Sequence, residues 1–168
     1  QNSEIKQRID NRLQEFSNIQ QQPADVWFNE LCFCLLTANA KAKTALVIEK
    51  QLGKHGFHNT TEEELTTIIK NNKHRFHNTK AKYIVQARQH KDIKTIVTKI
   101  IENNNEYTAR AWLVENVKGL GYKEASHFLR NIGYKNLAIL DRHILNIMNE
   151  NKIIRKPKTL TRETYLNI

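Results

Sequence analysis

Val117-Lys118-Gly119-Leu120-Gly121-Tyr122-Lys123-Glu124-Ala125-Ser126, with Ile139-Leu140-Asp141-Arg142-His143-Ile144 downstream, reads as a helix end, a glycine hairpin and the start of a second helix. Gly119 and Gly121 can turn the backbone tightly and leave N–H groups uncovered, so a phosphate can sit against them at a helix N-terminus. Lys123 falls in the first turn of the second helix, where the positive end of the dipole disfavours a cation and favours a neutral, nucleophilic amine. Asp141 follows after that helix and a short connector.

Working outward, helical periodicity runs through most of the 168 residues, which contain two prolines and five glycines, and the fold class is therefore all-α. Ile5, Ile9, Leu13 and Phe16 make one stripe of a first helix. Pro23 suits the first turn of a second, which is apolar all round from Trp27 to Leu36 and so expected to be central. A third helix carries Ala45, Ile48 and Leu52 and is expected to stop at Gly53. Thr60 with Glu63 has the spacing of a capping box for a helix reaching Lys70. Further helices are expected over 81–88, 93–101, 108–117 and 123–132, with Asp141 as N-cap of a last one reaching Asn149.

Lys and Arg number 27 against 17 Asp and Glu, a net charge of +10 spread along the chain, which fits a surface that meets a polyanion. The apolar run from Leu31 to Ala38 is too short to span a bilayer, so no membrane association is expected. Cys32 and Cys34 lie two apart on a helix, point different ways, and are expected in the core in a reducing cytosol. The chain opens without a methionine and stops amid polar residues, which reads as a piece of a longer chain.

On the hairpin motif with its later Asp, the sequence resembles the helix-hairpin-helix DNA glycosylase superfamily. The wording Trp27 to Asn39, His74-Arg75-Phe76 and Gly121 to Asn131 is most similar to the type 2 8-oxoguanine DNA glycosylase/lyases. The resemblance implies a single two-lobed helical domain over 1–168 with a central cleft, the helix-hairpin-helix at about 108–133. It also implies a C-terminal helical extension, which helps form the damaged-base pocket in such enzymes and is missing here. The implied partner is double-stranded DNA with one flipped base, bound by a monomer in the cytoplasm and nucleoid-associated.

The implied roles are specific. Lys123 would attack C1′ of the flipped nucleotide, form a Schiff base and break the strand by β-elimination. Asp141 would stabilise charge on the sugar and move protons. Lys118, Gly119, Leu120 and Gly121 would grip a phosphate, and the hairpin carbonyls could hold K⁺ or Na⁺; no other cofactor is required. No cysteine follows Cys34, so no iron–sulfur cluster is expected. Phe76 with Arg75 would wedge into the gap left by the flipped base, Asn39 could enter it too, and His143 could orient Asp141 or touch a phosphate. Each has a plainer alternative: a solvated lysine, a simple cap, a structural αα-hairpin, a core Phe, a helix-ending Asn, a surface His. The pairs His55/His58 and His74/His77 have metal-compatible spacing but lack further ligands. Two other functions stay open, an oxidised-pyrimidine or mismatch glycosylase and a non-catalytic helix-hairpin-helix DNA-binding module.

Overall fold

The computed structural model describes residues 2–168 and is built of α-helices, with no strand among the described residues. In chain order these are α1 (Asn2–Gln20), α2 (Ala24–Thr37), α3 (Ala42–Asn59), α4 (Glu62–Asn71), α5 (His77–Ala87), a 3-10 turn (Arg88–His90), α6 (Ile93–Asn103), α7 (Glu106–Asn116), α8 (Tyr122–Asn131), α9 (Arg142–Glu150) and α10 (Arg162–Asn167).

The all-round apolar helix is central. On α2, Trp27, Phe28, Leu31, Cys32, Cys34, Leu35 and Leu36 are all buried, and α1, α3, α5, α6 and α8 pack around it. Burying Trp27 leaves no orphan donor, because its indole N–H donates to the Ile19 carbonyl at 3.0 Å. Its ring meets Phe128 of α8 edge-on at 6.5 Å. Both cysteines are in the core as free thiols, and burial pushes them well above the ordinary thiol range, so neither is a ready nucleophile.

Local details differ from the sequence reading where tertiary contacts intervene. The first helix does not bury its whole stripe: Phe16 is 5% exposed, but Ile5 and Ile9 are each 54% exposed, because α1 meets α2 and α8 only through its C-terminal half. Gly53 does break α3, with φ at +65°, but the chain resumes helix beyond it and runs to Asn59. The capping box sits one residue later than expected, with Thr61 Oγ1 accepting from the Glu64 amide and Glu64 bonding back to the Thr61 amide. Asn105, at the end of an asparagine run that looks like a simple breaker, caps α7 by accepting from the Thr108 amide at 3.0 Å.

A second, smaller core joins Leu140, Leu145 and Tyr165, with Tyr122, Met148, Ile154 and Leu160 against it. It ties α9 and α10 to the start of α8. We expect Leu35→Ala to lower unfolding free energy by about 2 to 5 kcal/mol in urea titration. Ile9→Ala should change it by less than about 0.5 kcal/mol. A large loss at Ile9 would show that this face of α1 is packed in solution.

Candidate nucleic-acid interface and catalytic cleft

The hairpin is a tight turn from Val117 to Gly121, closed by the Leu120 amide donating to the Val117 carbonyl at 3.1 Å. Gly119 has φ at +90°, a conformation L side chains rarely adopt, and a Cβ there would lie 2.1 Å from the Tyr83 ring of α5. Glycine is thus demanded twice, by the torsion and by the ring beneath it. Leu120 plugs into the core at 4% exposure with its amide committed inside the turn, so the donors left uncommitted there are those of Gly119, Gly121 and the first turn of α8. Lys118 stands exposed beside them, and Gly121 is the N-cap of α8.

Helix α8 has one buried face, Ala125, Phe128 and Leu129, continued by its C-cap Ile132, and a second face that lines a cavity of about 620 Å³. Lys123, His127 and Arg130, one and nearly two turns apart, stand along that face. Across from them are Thr37 and Ala40 at the end of α2, and the segment Leu137 to Asp141. The expected pair, Lys123 and Asp141, therefore shares one open cleft.

Asp141 is the N-cap of α9, and one oxygen does all of that work: Oδ1 accepts from the His143 amide at 2.9 Å and the Ile144 amide at 2.8 Å. Oδ2 is left for the cleft. The connector that carries Asp141 is pinned by Tyr165, whose hydroxyl donates to the Ala138 carbonyl at 3.0 Å and accepts from the Leu140 amide at 3.2 Å. His143 serves the cap through its backbone, and its side chain is exposed.

Lys123 makes its ion pair with Glu124, Nζ to Oε1 at 3.1 Å, rather than with Asp141. Glu124 has only 13% of its side chain exposed, against 34% for Lys123. The adjacent carboxylate was legible in the sequence, but its pairing was not, because consecutive helical residues normally diverge.

Behind this corner lies a buried guanidinium. Arg110 of α7 is 6% exposed, hydrogen bonds Ser126 Oγ at 3.4 Å, and stacks within 5.4, 5.5 and 5.6 Å of the Tyr107, Tyr122 and Tyr165 rings. Three aromatic faces stand where a carboxylate partner would be usual.

The other expected DNA contacts cluster at the end of α2. His74 is buried, and its Nε2 lies 2.9 Å from the Leu36 carbonyl while its Nδ1 accepts from the Phe76 amide at 3.2 Å. The two contacts together assign the Nε2–H tautomer. This staple ties the segment carrying Arg75 and Phe76 to the C-terminal end of α2. Phe76 is half-buried with the Arg75 guanidinium over its ring at 5.1 Å, so it is not a core anchor. Asn39 sits two residues past α2 at φ +60°, exposed, in the left-handed conformation that asparagine tolerates. His74 was missed as a positioning residue because its partner lies far along the chain. His58 packs on Phe28 at 4.5 Å, and no cluster of three or more metal-ligating side chains occurs among the described residues.

His127 was missed although its place one turn after Lys123 puts it on the same face. Burial, then the charges of Arg130 and Lys123, pull it down from the usual 6.5 to about 4. It is a neutral imidazole in the cleft, edge-on to Phe33 at 6.1 Å. Its protonation-linked contribution to stability is present above pH 6.5 and lost as pH falls toward 4, since the unfolded chain then binds the proton more readily. NMR titration should find this imidazole changing state near pH 4, and a midpoint near 6.5 would show it solvated.

A family model described as 8-oxoguanine DNA glycosylase matches residues 9–168. An 8-oxoguanine DNA glycosylase/AP lyase of Methanocaldococcus jannaschii is 52% identical over 168 residues, covering 99% of this chain and 79% of the relative. One of Korarchaeum cryptofilum with the same description is 44% identical, covering 99% and 78%. The crystal structure of the M. jannaschii 8-oxoguanine glycosylase/lyase in complex with a 15mer DNA containing 8-oxoguanine superposes with a TM-score of 0.92 at 51% identity, covering 99% of this chain and 79% of that one.

Proposed function

Because this chain belongs to the 8-oxoguanine DNA glycosylase family, we propose how its residues remove 8-oxoguanine from duplex DNA and then cut the strand at the abasic site: Lys123 is the nucleophile and Asp141 the charge partner. The observation that carries the assignment is their shared cleft, with one carboxylate oxygen engaged in capping and the other left over.

The Lys123 lone pair attacks C1′ of the everted nucleotide, and the base departs with the electrons of its glycosidic bond. Positive charge on the sugar is answered by Asp141 Oδ2 across the cleft. The alkylated nitrogen gives up one of its two N–H protons, which the departing base takes up; opening of the sugar ring, with O4′ taking a proton, then leaves a protonated C1′=N–H⁺ Schiff base. That group acidifies C2′–H, and removal of this proton expels the 3′ phosphate by β-elimination. Asp141 is the carboxylate positioned to shuttle these protons.

Hairpin amides from Gly119 to the first turn of α8, with exposed Lys118, hold the backbone phosphate beside the extruded nucleotide. The hairpin's all-oxygen carbonyl donor set suits a hard monovalent cation such as K⁺ or Na⁺, which would stiffen the turn. Phe76, backed by Arg75, fills the space left in the helix, with Asn39 on the same rim. One chain supplies every reacting group, in keeping with a monomer. No helix among the described residues is long and apolar enough to cross a membrane, and the enzyme's work on chromosomal DNA belongs in the cytoplasm, nucleoid-associated.

A non-catalytic hairpin module needs no cleft beside its lysine, so the cleft favours the enzyme. Borohydride reduction on 8-oxoguanine duplex should trap a covalent protein–DNA adduct that Lys123→Gln abolishes. Asp141→Asn should keep the cap, and hence the melting temperature within a few degrees, yet slow cleavage by about a hundredfold or more. An Asn variant as fast as wild type would reduce Asp141 to a helix cap. DNA affinity should fall steeply with added salt, and a flat dependence would contradict phosphate neutralisation by the +10 surface.

A further inference from the structure

Next to the cleft lies a second cavity of about 420 Å³, whose wall includes Gly121, Tyr122, Lys123, Glu124, Arg162 and Tyr165. Lys123 lines both cavities, so the nucleophile of the proposed reaction borders each of them.

The Tyr122 ring in this wall carries two guanidiniums, that of Arg110 at 5.5 Å and that of Arg162 at 5.7 Å from its centroid. Two like charges gathered on one ring repel each other and call for a counter-charge. The protein supplies none: among the described residues neither arginine takes part in an ion pair, and the carboxylate on this wall, Glu124, is already engaged by Lys123 at 3.1 Å. Arg110 is the buried member, 6% exposed with its Nε unpartnered, whereas Arg162, the first residue of α10, is exposed. The corner therefore holds uncompensated positive charge around an open space, and the ligand that balances it is an anion.

We propose that Arg162, stacked on Tyr122, grips a DNA backbone phosphate flanking the everted nucleotide, as a further arm of the phosphate site at the hairpin. An arginine laid over an aromatic face keeps its planar edge free, and the parallel N–H groups of that edge match two phosphate oxygens. Phosphates flank the sugar of every nucleotide within a strand, so a sugar held with C1′ at Lys123 has one beside the cavity that Lys123 shares with Arg162. Gly121 of the hairpin stands in the same wall, which makes the two phosphate-binding elements continuous. Arg110 is too deeply buried to touch the strand and contributes only its charge. The inference rests on the hairpin holding the substrate's backbone.

The test is equilibrium binding of duplex DNA bearing a tetrahydrofuran abasic-site analogue, followed by fluorescence anisotropy over a series of KCl concentrations. Arg162→Ala should bind about tenfold more weakly at low salt, and its slope of log Kd against log salt should be shallower by about one, as expected when one phosphate contact is lost. Arg162→Lys keeps the charge but not the stacked fork, so it should keep the wild-type slope with intermediate affinity. Arg162 is exposed, and both variants should melt within a few degrees of wild type. An Arg162→Ala slope equal to that of wild type overturns the proposal whatever its affinity, and so does an Arg162→Lys slope as shallow as that of Arg162→Ala. A flat salt dependence in the wild-type chain would instead overturn the phosphate grip at the hairpin.

Discussion

Burial of one face of α8 against the central helix α2 is the constraint on which the site depends. Ala125, Phe128, Leu129 and Ile132 leave no freedom to rotate α8 about its axis, since each fully buried large side chain is worth roughly 1.5 to 3 kcal/mol. With that face inward, the stripe of Lys123, His127 and Arg130 has to look into the cleft, and the α8 N-terminus has to meet the hairpin. The T-shaped contact of Trp27 with Phe128 fixes the same register from the α2 side.

The other half of the site is set by a much smaller core. Tyr165 threads its hydroxyl between the Ala138 carbonyl and the Leu140 amide, so the connector arrives at Asp141 in one conformation. Two helix N-termini then border one cavity, α8 bearing an amine and α9 a carboxylate. Because the α9 cap uses Oδ1 for both amides, Oδ2 takes no part in the cap. Capping by Asp141 and the catalytic role proposed for it are therefore compatible.

Electrostatically the cleft is rich in cations yet sparing of exposed protons. Arg110 is sheathed in tyrosine rings, Lys80 is buried, and His127 is held neutral. Fixed positive charge of this kind suits a polyanionic substrate, since exposed lysines and arginines attract the backbone. The hairpin, packed on Tyr83, places its uncommitted amides at the start of α8.

Much of this was legible in the chain alone, because it depends on short-range rules. Helical period identified the elements, the all-round apolar stretch from Trp27 to Leu36 identified the central one, and glycine, lysine and aspartate at their spacings marked both helix starts. Local rules failed where distant residues decide: among the described residues the N-terminal part of α1 meets no partner helix, so its apolar stripe stays exposed. Which acid Lys123 pairs with, the staple from His74 to Leu36 and the neutrality of His127 were settled only in three dimensions. Burial and charge act through space, and a desolvated side chain responds to neighbours that the order of residues does not reveal.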